Sequence, residues 1–375
     1  ATLERLAASG RTLHGISIEY PTLRGLRDEA PYLAAALRRP GITRHAIDGD
    51  ELLDFDRLDR VPLLDEPCPG LFRAGIDMAL VDTAAACGAD TMLTGLGADE
   101  LLSDAPFYIA DLLRAGHVRQ ALSESAIWAR ATTSGRWKFL HAFGIAPLLP
   151  AFARRATVPS WVLPGFAREL RLRDRVGDDR AAKSVVLSEA LARLRETAGD
   201  WTRGALASRR GLHVAHPFRD PRLTGFALGV RTRVRPDPHR QKAVLSSAMR
   251  AVLPSIILER RGKAPFNAVY FRGLSRNLPR LEAMIQASPV EELELFDKNR
   301  MIEAMRETAL GGKSPALASG LNTGLAIAHW LSQLPRWLDA APKPSHAATL
   351  QTIDDAAGDA GASHLRQPQQ GRQRA

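Results

Sequence analysis

Apolar and polar positions change their period once along this chain. Over residues 1–9, Leu3, Leu6 and Ala7 fall on one helical face, and Gly10 reads as the stop. Leu13–Tyr20 alternates apolar with polar residues and predicts a strand. Asp28–Leu37 predicts a helix, Thr43–Ile47 a short strand, and Leu71–Cys87 a helix with Phe72, Ile76, Ala79, Leu80 and Thr83 at helical spacing. Asp90–Thr94 is the next strand. This alternation implies a parallel sheet, whose ligands bind beyond the carboxyl ends of the strands.

Beyond Asp104 the strand period disappears. Helical patterns run over Phe107–Arg114, Val118–Arg130, Ala181–Glu196, Lys242–Val252 and Leu321–Leu334, separated by prolines such as Pro147, Pro150, Pro217, Pro221 and Pro236. Three parts are expected: an α/β part over 1–104, a mainly helical part over 105–340, and a disordered tail over 341–375. The tail is mostly polar, has no apolar period and ends in the Gln-rich stretch Gln367–Gln373.

The candidate chemistry sits where the last strand ends, at Thr94-Gly95-Leu96-Gly97-Ala98-Asp99-Glu100. A strand that empties into Gly-x-Gly bares backbone N–H groups to an anion. Two carboxylates just beyond offer hard oxygen ligands to Mg²⁺. The plainer reading is a tight turn followed by an acidic first helical turn. Gly311-Gly312-Lys313-Ser314 ends like a phosphate-binding P-loop. It lacks the upstream strand and glycine spacing, and so reads as a loop between helices.

Composition narrows the choices. The formal net charge is +10, but the arginines are scattered with few aromatics among them and no nucleic-acid-binding motif, so no nucleic-acid partner is expected. Arg and Lys near the loop suit a triphosphate or an acidic peptide. No run reaches the ~20 apolar residues of a membrane span, so no membrane partner is expected. No signal peptide is visible. Cys68 and Cys87 make neither a disulfide framework nor a metal-binding spacing. They read as reduced thiols in a cytoplasmic protein.

Further motifs follow the loop in a recognisable order. Asp65-Glu66-Pro67 precedes a helix. His216-Pro217-Phe218-Arg219-Asp220 forms a turn, Lys242 opens a segment ending at Leu253-Pro254, and Arg260-Arg261-Gly262-Lys263 comes next. In this series the chain resembles the synthetase domain of the asparagine synthetase family over roughly residues 1–340. The resemblance implies a nucleotide-binding parallel-sheet domain, like that of the adenine nucleotide alpha hydrolases, with a helical C-terminal extension. It implies an ATP-dependent, AMP-forming amide ligase with ATP and Mg²⁺ as cofactors. Thr94, Gly95 and Gly97 would sit on the nucleotide. Asp99 would hold Mg²⁺, with Glu100 beside it as a further ligand or a helix-start acid. Lys242 would contact phosphate oxygens, and Lys263 would neutralise charge between the α-phosphate and the acyl centre. The plainer readings are a surface position for Lys242, a loop position for Lys263 and a packed turn for His216.

Two departures stand out. The family's Ser-Gly-Gly-x-Asp-Ser loop is absent, and it should come just before the helix at Ala1. A chain cut from a longer reading frame is therefore expected, inactive alone, with any glutaminase domain lying upstream. Leu96 replaces a glutamate that in asparagine synthetases lies near the aspartate and the ammonia. The segment Lys263–Gly273 looks most like the lasso-peptide macrolactam cyclases, in which an aromatic-Arg-Gly turn is expected here at Phe271-Arg272-Gly273. The substrate would be a carboxylate, either an Asp side chain or one on a precursor peptide. A leader-peptide-binding protein or a protease would be the partner. Glutamine-dependent asparagine synthesis and a degenerate, non-catalytic protein-binding member remain the alternatives.

Overall fold

The structure, a computed structural model, describes residues 6, 8–38, 40–102, 105–149, 158–173, 184–196, 201–231, 234–260, 266–311 and 315–340. It is mixed α/β and mostly helical. In chain order the elements are β1 (Leu13–Glu19), α1 (Ala30–Leu37), β2 (Ile42–Asp48), α2 (Ala74–Ala86), β3 (Thr91–Leu93), α3 (Ala98–Leu101), α4 (Tyr108–Arg114), α5 (Val118–Ala131) and α6 (Arg136–Leu140). They continue with α7 (Pro164–Glu169), α8 (Val185–Glu196), α9 (Trp201–Ser208), β4 (His213–Ala215), α10 (Pro221–Arg231), α11 (Ala243–Ala248) and α12 (Ser255–Leu258). The last three are α13 (Asn267–Ala287), α14 (Lys298–Ala309) and α15 (Pro315–Ala340). The chain divides into two units, 1–334 and 335–375, and the described part of the second is the end of α15. Among the described residues no helix is long and apolar enough to cross a membrane. The polar tail over 341–375, most of the helix over 1–9 and the Lys313-Ser314 end of the P-loop-like stretch lie outside the described residues.

The strands form two parallel pairs. β1 pairs with β2 from Leu13↔Ile42 to Glu19↔Asp48, and β3 pairs with β4 from Thr91↔His213 to Leu93↔Ala215. One face of each pair packs against α2 and α9: Ile16, Met92 and Val214 lie against a cluster of Val81, Ala84, Ala207 and Leu212. Arg203 holds α9 to α2 by donating from Nε and Nη2 to Asp77 Oδ1 at 3.0 and 2.7 Å. A cleft of about 540 Å³ opens between β1 and β3, lined by His14, Cys87 and Thr91–Leu93.

β4 corrects the expectation that strands stop at Asp104. Its three residues are too few to show a period of two, and only the pairing reveals it. The helix expected over Lys242–Val252 is also shorter. It ends at Ala248, and a turn over Met249–Leu253 leads into Pro254, which disfavours helical backbone at Leu253. Phe271-Arg272-Gly273 is not a turn but lies inside α13. Gly273 is needed there for another reason: a Cβ on it would stand 2.1 Å from the backbone oxygen of Asp54.

The largest core lies where α13, α14 and α15 meet. Leu274, Leu281, Ile285, Met301, Met305 and Leu321 are all buried there. Asp54 sits at its edge. Its Oδ1 accepts no hydrogen bond, and Arg73 Nε stands 3.9 Å away. Burial pushes its carboxyl up to about 7; Arg73 opposes this, and the Asp77 and Asp56 carboxylates add to it.

Candidate functional site

The register of β3 and β4 sets the site. Leu93 lies opposite Ala215, and Thr94 N donates to Ala215 O at 3.0 Å, which extends the ladder by one rung. The two loops leaving the carboxyl ends of these strands are therefore neighbours. Thr94 Oγ1 lies 2.6 Å from His216 Nδ1. Leu96 N donates to the same hydroxyl at 3.3 Å. The hydroxyl hydrogen is then available to Nδ1, an arrangement that suits the imidazole with its proton on Nε2.

The two glycines of the loop differ. Gly97 has φ +95°, and a Cβ on it would stand 2.9 Å from Arg219 Cγ and 3.4 Å from the Phe218 backbone carbon. Arg219 is fixed by donating to Leu194 O at 2.7 Å. The fold therefore requires glycine at 97. At Gly95 an added Cβ would meet nothing within 4 Å, and the backbone lies outside the left-handed region. Packing does not require glycine at 95; what it leaves is open space above bare backbone, where a ligand can approach closely.

Asp99 and Glu100 begin the short α3. Lys242 Nζ stands 2.6 Å from Asp99 Oδ1, with the Asp99 side chain 61 % exposed. Lys242 has φ +47°, a left-handed backbone that costs a non-glycine residue about 1–2 kcal/mol. A strained charged residue beside an exposed carboxylate is a functional candidate on physical grounds. Arg231 Nη1 ties α10 to α3 by donating to Glu100 O at 2.5 Å and Leu101 O at 3.3 Å.

Thr94, Gly95, Gly97, Asp99, Glu100 and Lys242 therefore come together. Lys263 lies outside the described residues. Its described flanks are anchored, with Arg260 paired to Glu29 and the Phe266 ring 6.3 Å from that of Tyr20. Sequence reasoning read His216 as a turn and passed over Arg219 and Arg231. Recognising β4 would have placed His216 at a strand's carboxyl end, and so beside Thr94.

A cleft of about 290 Å³ next to the site is lined by Tyr108, Asp111, Ser184, Arg231 and Arg235. Its polar groups hold the fold: Asp111 accepts from Ser184 Oγ and Val185 N, both at 2.7 Å, and Arg235 donates to Glu124 at 2.9 Å. At the loop, the exposed Asp99 carboxylate offers the hard oxygen that Mg²⁺ takes, with its Oδ1 against Lys242 Nζ. A full protein cage is not present there among the described residues.

The family described as asparagine synthase matches residues 1–338. No curated protein matches the chain.

Proposed function

Because the chain belongs to the asparagine synthase family, whose members are ATP-dependent amide ligases, we propose that the Thr94–Glu100 loop, with His216 and Lys242, receives the nucleotide. The observation that carries this is the open backbone at Gly95 beside the Asp99–Lys242 ion pair. A carboxylate oxygen of the substrate attacks the α-phosphorus of ATP. Pyrophosphate leaves and an acyl-adenylate forms. An amine then attacks the acyl carbon, giving an amide, AMP and a proton. The backbone N–H of Gly95 meets a phosphate oxygen, and Lys242 turns from Asp99 toward the phosphates. Asp99, with Glu100 next to it, would hold Mg²⁺, which would neutralise phosphate charge. Lys263 stabilises the anionic centre at which the acyl group transfers.

Leu96 favours ring closure on a precursor peptide over use of free ammonia, because an alkyl side chain neither binds ammonium nor takes its proton. The amine is then a peptide amine and the carboxylate an Asp or Glu side chain. In that setting the protein works in the cytoplasm with a leader-peptide-binding or protease partner. One observation favours a second reading: Lys242 lies against Asp99 as an internal cation. A non-catalytic member, in which the lysine stands where a metal would, explains that contact.

The test is to incubate the full-length protein with Mg-ATP and a candidate precursor peptide and to follow nucleotide products. AMP and amide in equal amounts support the ligase. Peptide binding without nucleotide turnover supports the non-catalytic reading.

A further inference from the structure

Away from the nucleotide loop, β1, β2 and the end of α2 bring together two imidazoles and a thiol. The parallel register pairs His14 with Thr43 and Ile16 with His45, so His14 and His45 lie on one face of the sheet, one diagonal step apart. Ile16 shows which face this is, because it packs under α2. Cys87 caps the carboxyl end of that helix, its backbone N–H bonded to Thr83 O. All three side chains are half-buried. The ends of the chain segments here are also tied together. Arg11, just before β1, pairs with Asp90, just before β3.

The geometry is that of a metal cradle. His14 Nδ1 lies 3.0 Å from His45 Nε2, and Cys87 Sγ lies 3.3 Å from the same Nε2. The three candidate ligand atoms all fall within 4.8 Å of one another. Tetrahedral zinc, with Zn–N of about 2.0–2.1 Å and Zn–S of about 2.3 Å, sets its nitrogen and sulfur ligands about 3.3–3.6 Å apart. The spacings need a small opening, and the His45 ring must turn so that its Nε2 lone pair faces the ion, because Cys87 Sγ, 3.3 Å from Nε2 and 3.8 Å from Nδ1, stands beside the ring. The contact to Nδ1 is long, so hydrogen bonding serves the cluster only in part. His45 Nε2 carries either one hydrogen or one lone pair, so it cannot make a good hydrogen bond to both neighbours at once.

We propose that His14 Nδ1, His45 Nε2 and Cys87 Sγ bind one Zn²⁺, which staples β1, β2 and the end of α2. The imidazoles bind neutral. The thiol binds as thiolate and releases its proton to solvent, with no change of oxidation state. The fourth position falls to water, because His14 and Cys87 both line the open cleft of about 540 Å³. Sequence spacing hides this site: positions 14, 45 and 87 form no local motif, and only strand register and the α2 crossover bring them together.

The test uses the full chain, metal-free and reduced, titrated with Co²⁺ as a spectroscopic probe and then with Zn²⁺. One equivalent of Co²⁺ should give strong visible d–d bands and a near-ultraviolet sulfur-to-cobalt band, and Zn²⁺ should displace it. Changes beyond the ligands alone cost about 10–100-fold in affinity, so Cys87→Ser should weaken Zn²⁺ binding by at least about 100-fold and abolish the sulfur band. Cys68→Ser should change neither, because Cys68 is buried elsewhere and accepts from Thr202 Oγ1. His14→Gln keeps the thiol, and should weaken binding by a similar factor while retaining the sulfur band at high Co²⁺. This variant decides the matter if Cys87→Ser does not fold. A wild-type chain with no sulfur band at saturating Co²⁺ overturns the proposal. So does a band that survives Cys87→Ser, or His14→Gln with wild-type affinity.

Discussion

The two glycines of the Thr94–Glu100 loop should respond oppositely to the same methyl group. At Gly97 the backbone is left-handed, at φ +95°, which costs alanine about 1–2 kcal/mol. The new methyl would also stand 2.9 Å from Arg219 Cγ. Arg219 cannot swing away without giving up its bond to Leu194 O, and a hydrogen bond from a charged donor is worth about 1.5–3 kcal/mol. Gly97→Ala should therefore destabilise the protein by about 2.5–5 kcal/mol and lower its melting temperature by several degrees. At Gly95 neither cost exists. Replacing a glycine in ordinary backbone by alanine stabilises by about 0.4–1 kcal/mol through the unfolded chain. Gly95→Ala should thus keep or raise stability, yet lower Mg-ATP affinity at least about 10-fold, because its methyl fills the space a phosphate needs. Denaturant unfolding and calorimetric titration of both variants separate the two effects. Wild-type ATP affinity in Gly95→Ala would refute the reasoning, because Gly95 would then be only a turn residue.

Four other outcomes are expected. Asp54 has its carboxyl raised from 3.8 to about 7, so its protonated form favours the fold. The stability it adds is complete below about pH 4 and is lost as pH rises through 7, so Asp54→Asn should stabilise by about 4 kcal/mol at pH 8 and by almost nothing at pH 3; an equal effect at both pH values in denaturant melts contradicts this. Lys242→Gly relieves a left-handed backbone worth about 1–2 kcal/mol and loses an exposed ion pair worth about 0–1 kcal/mol, so melts should show unchanged or higher stability while AMP formation falls about 100-fold. A double-mutant cycle of Thr94→Val with His216→Gln should give a coupling of about 1 kcal/mol, and additivity would mean that the 2.6 Å contact contributes nothing. Lys263→Ala should remove about 100- to 1000-fold of the amide-forming rate without changing the melting temperature; a near wild-type rate would make Lys263 an ordinary loop lysine.

The parts of this fold with long periodic runs were legible in the sequence. β1, β2 and α2 fall within a few residues of their expected ends, because seven or more residues display a period. β4 was not legible, as three residues in a mainly helical stretch show no period and their partner lies 122 positions upstream at Thr91. That one omission concealed His216 as a neighbour of Thr94. Asp99 and Lys242 were both legible as charged candidates, but not their contact, which depends on how α3 and α11 meet. Phe271-Arg272-Gly273 misled for a physical reason. Its glycine suggested a turn, whereas the chain needs it for the close approach of α13 to the Asp54 backbone.

The measurement closest to the central claim is the identity of the nucleotide product. The full-length protein is mixed with ATP labelled at the α-phosphate, Mg²⁺ and a candidate carboxylate-and-amine substrate, and the products are separated. The account predicts AMP and pyrophosphate, formed only with the carboxylate present and lost in Gly95→Ala. ADP with inorganic phosphate, or AMP release unaffected by Gly95→Ala, would contradict it.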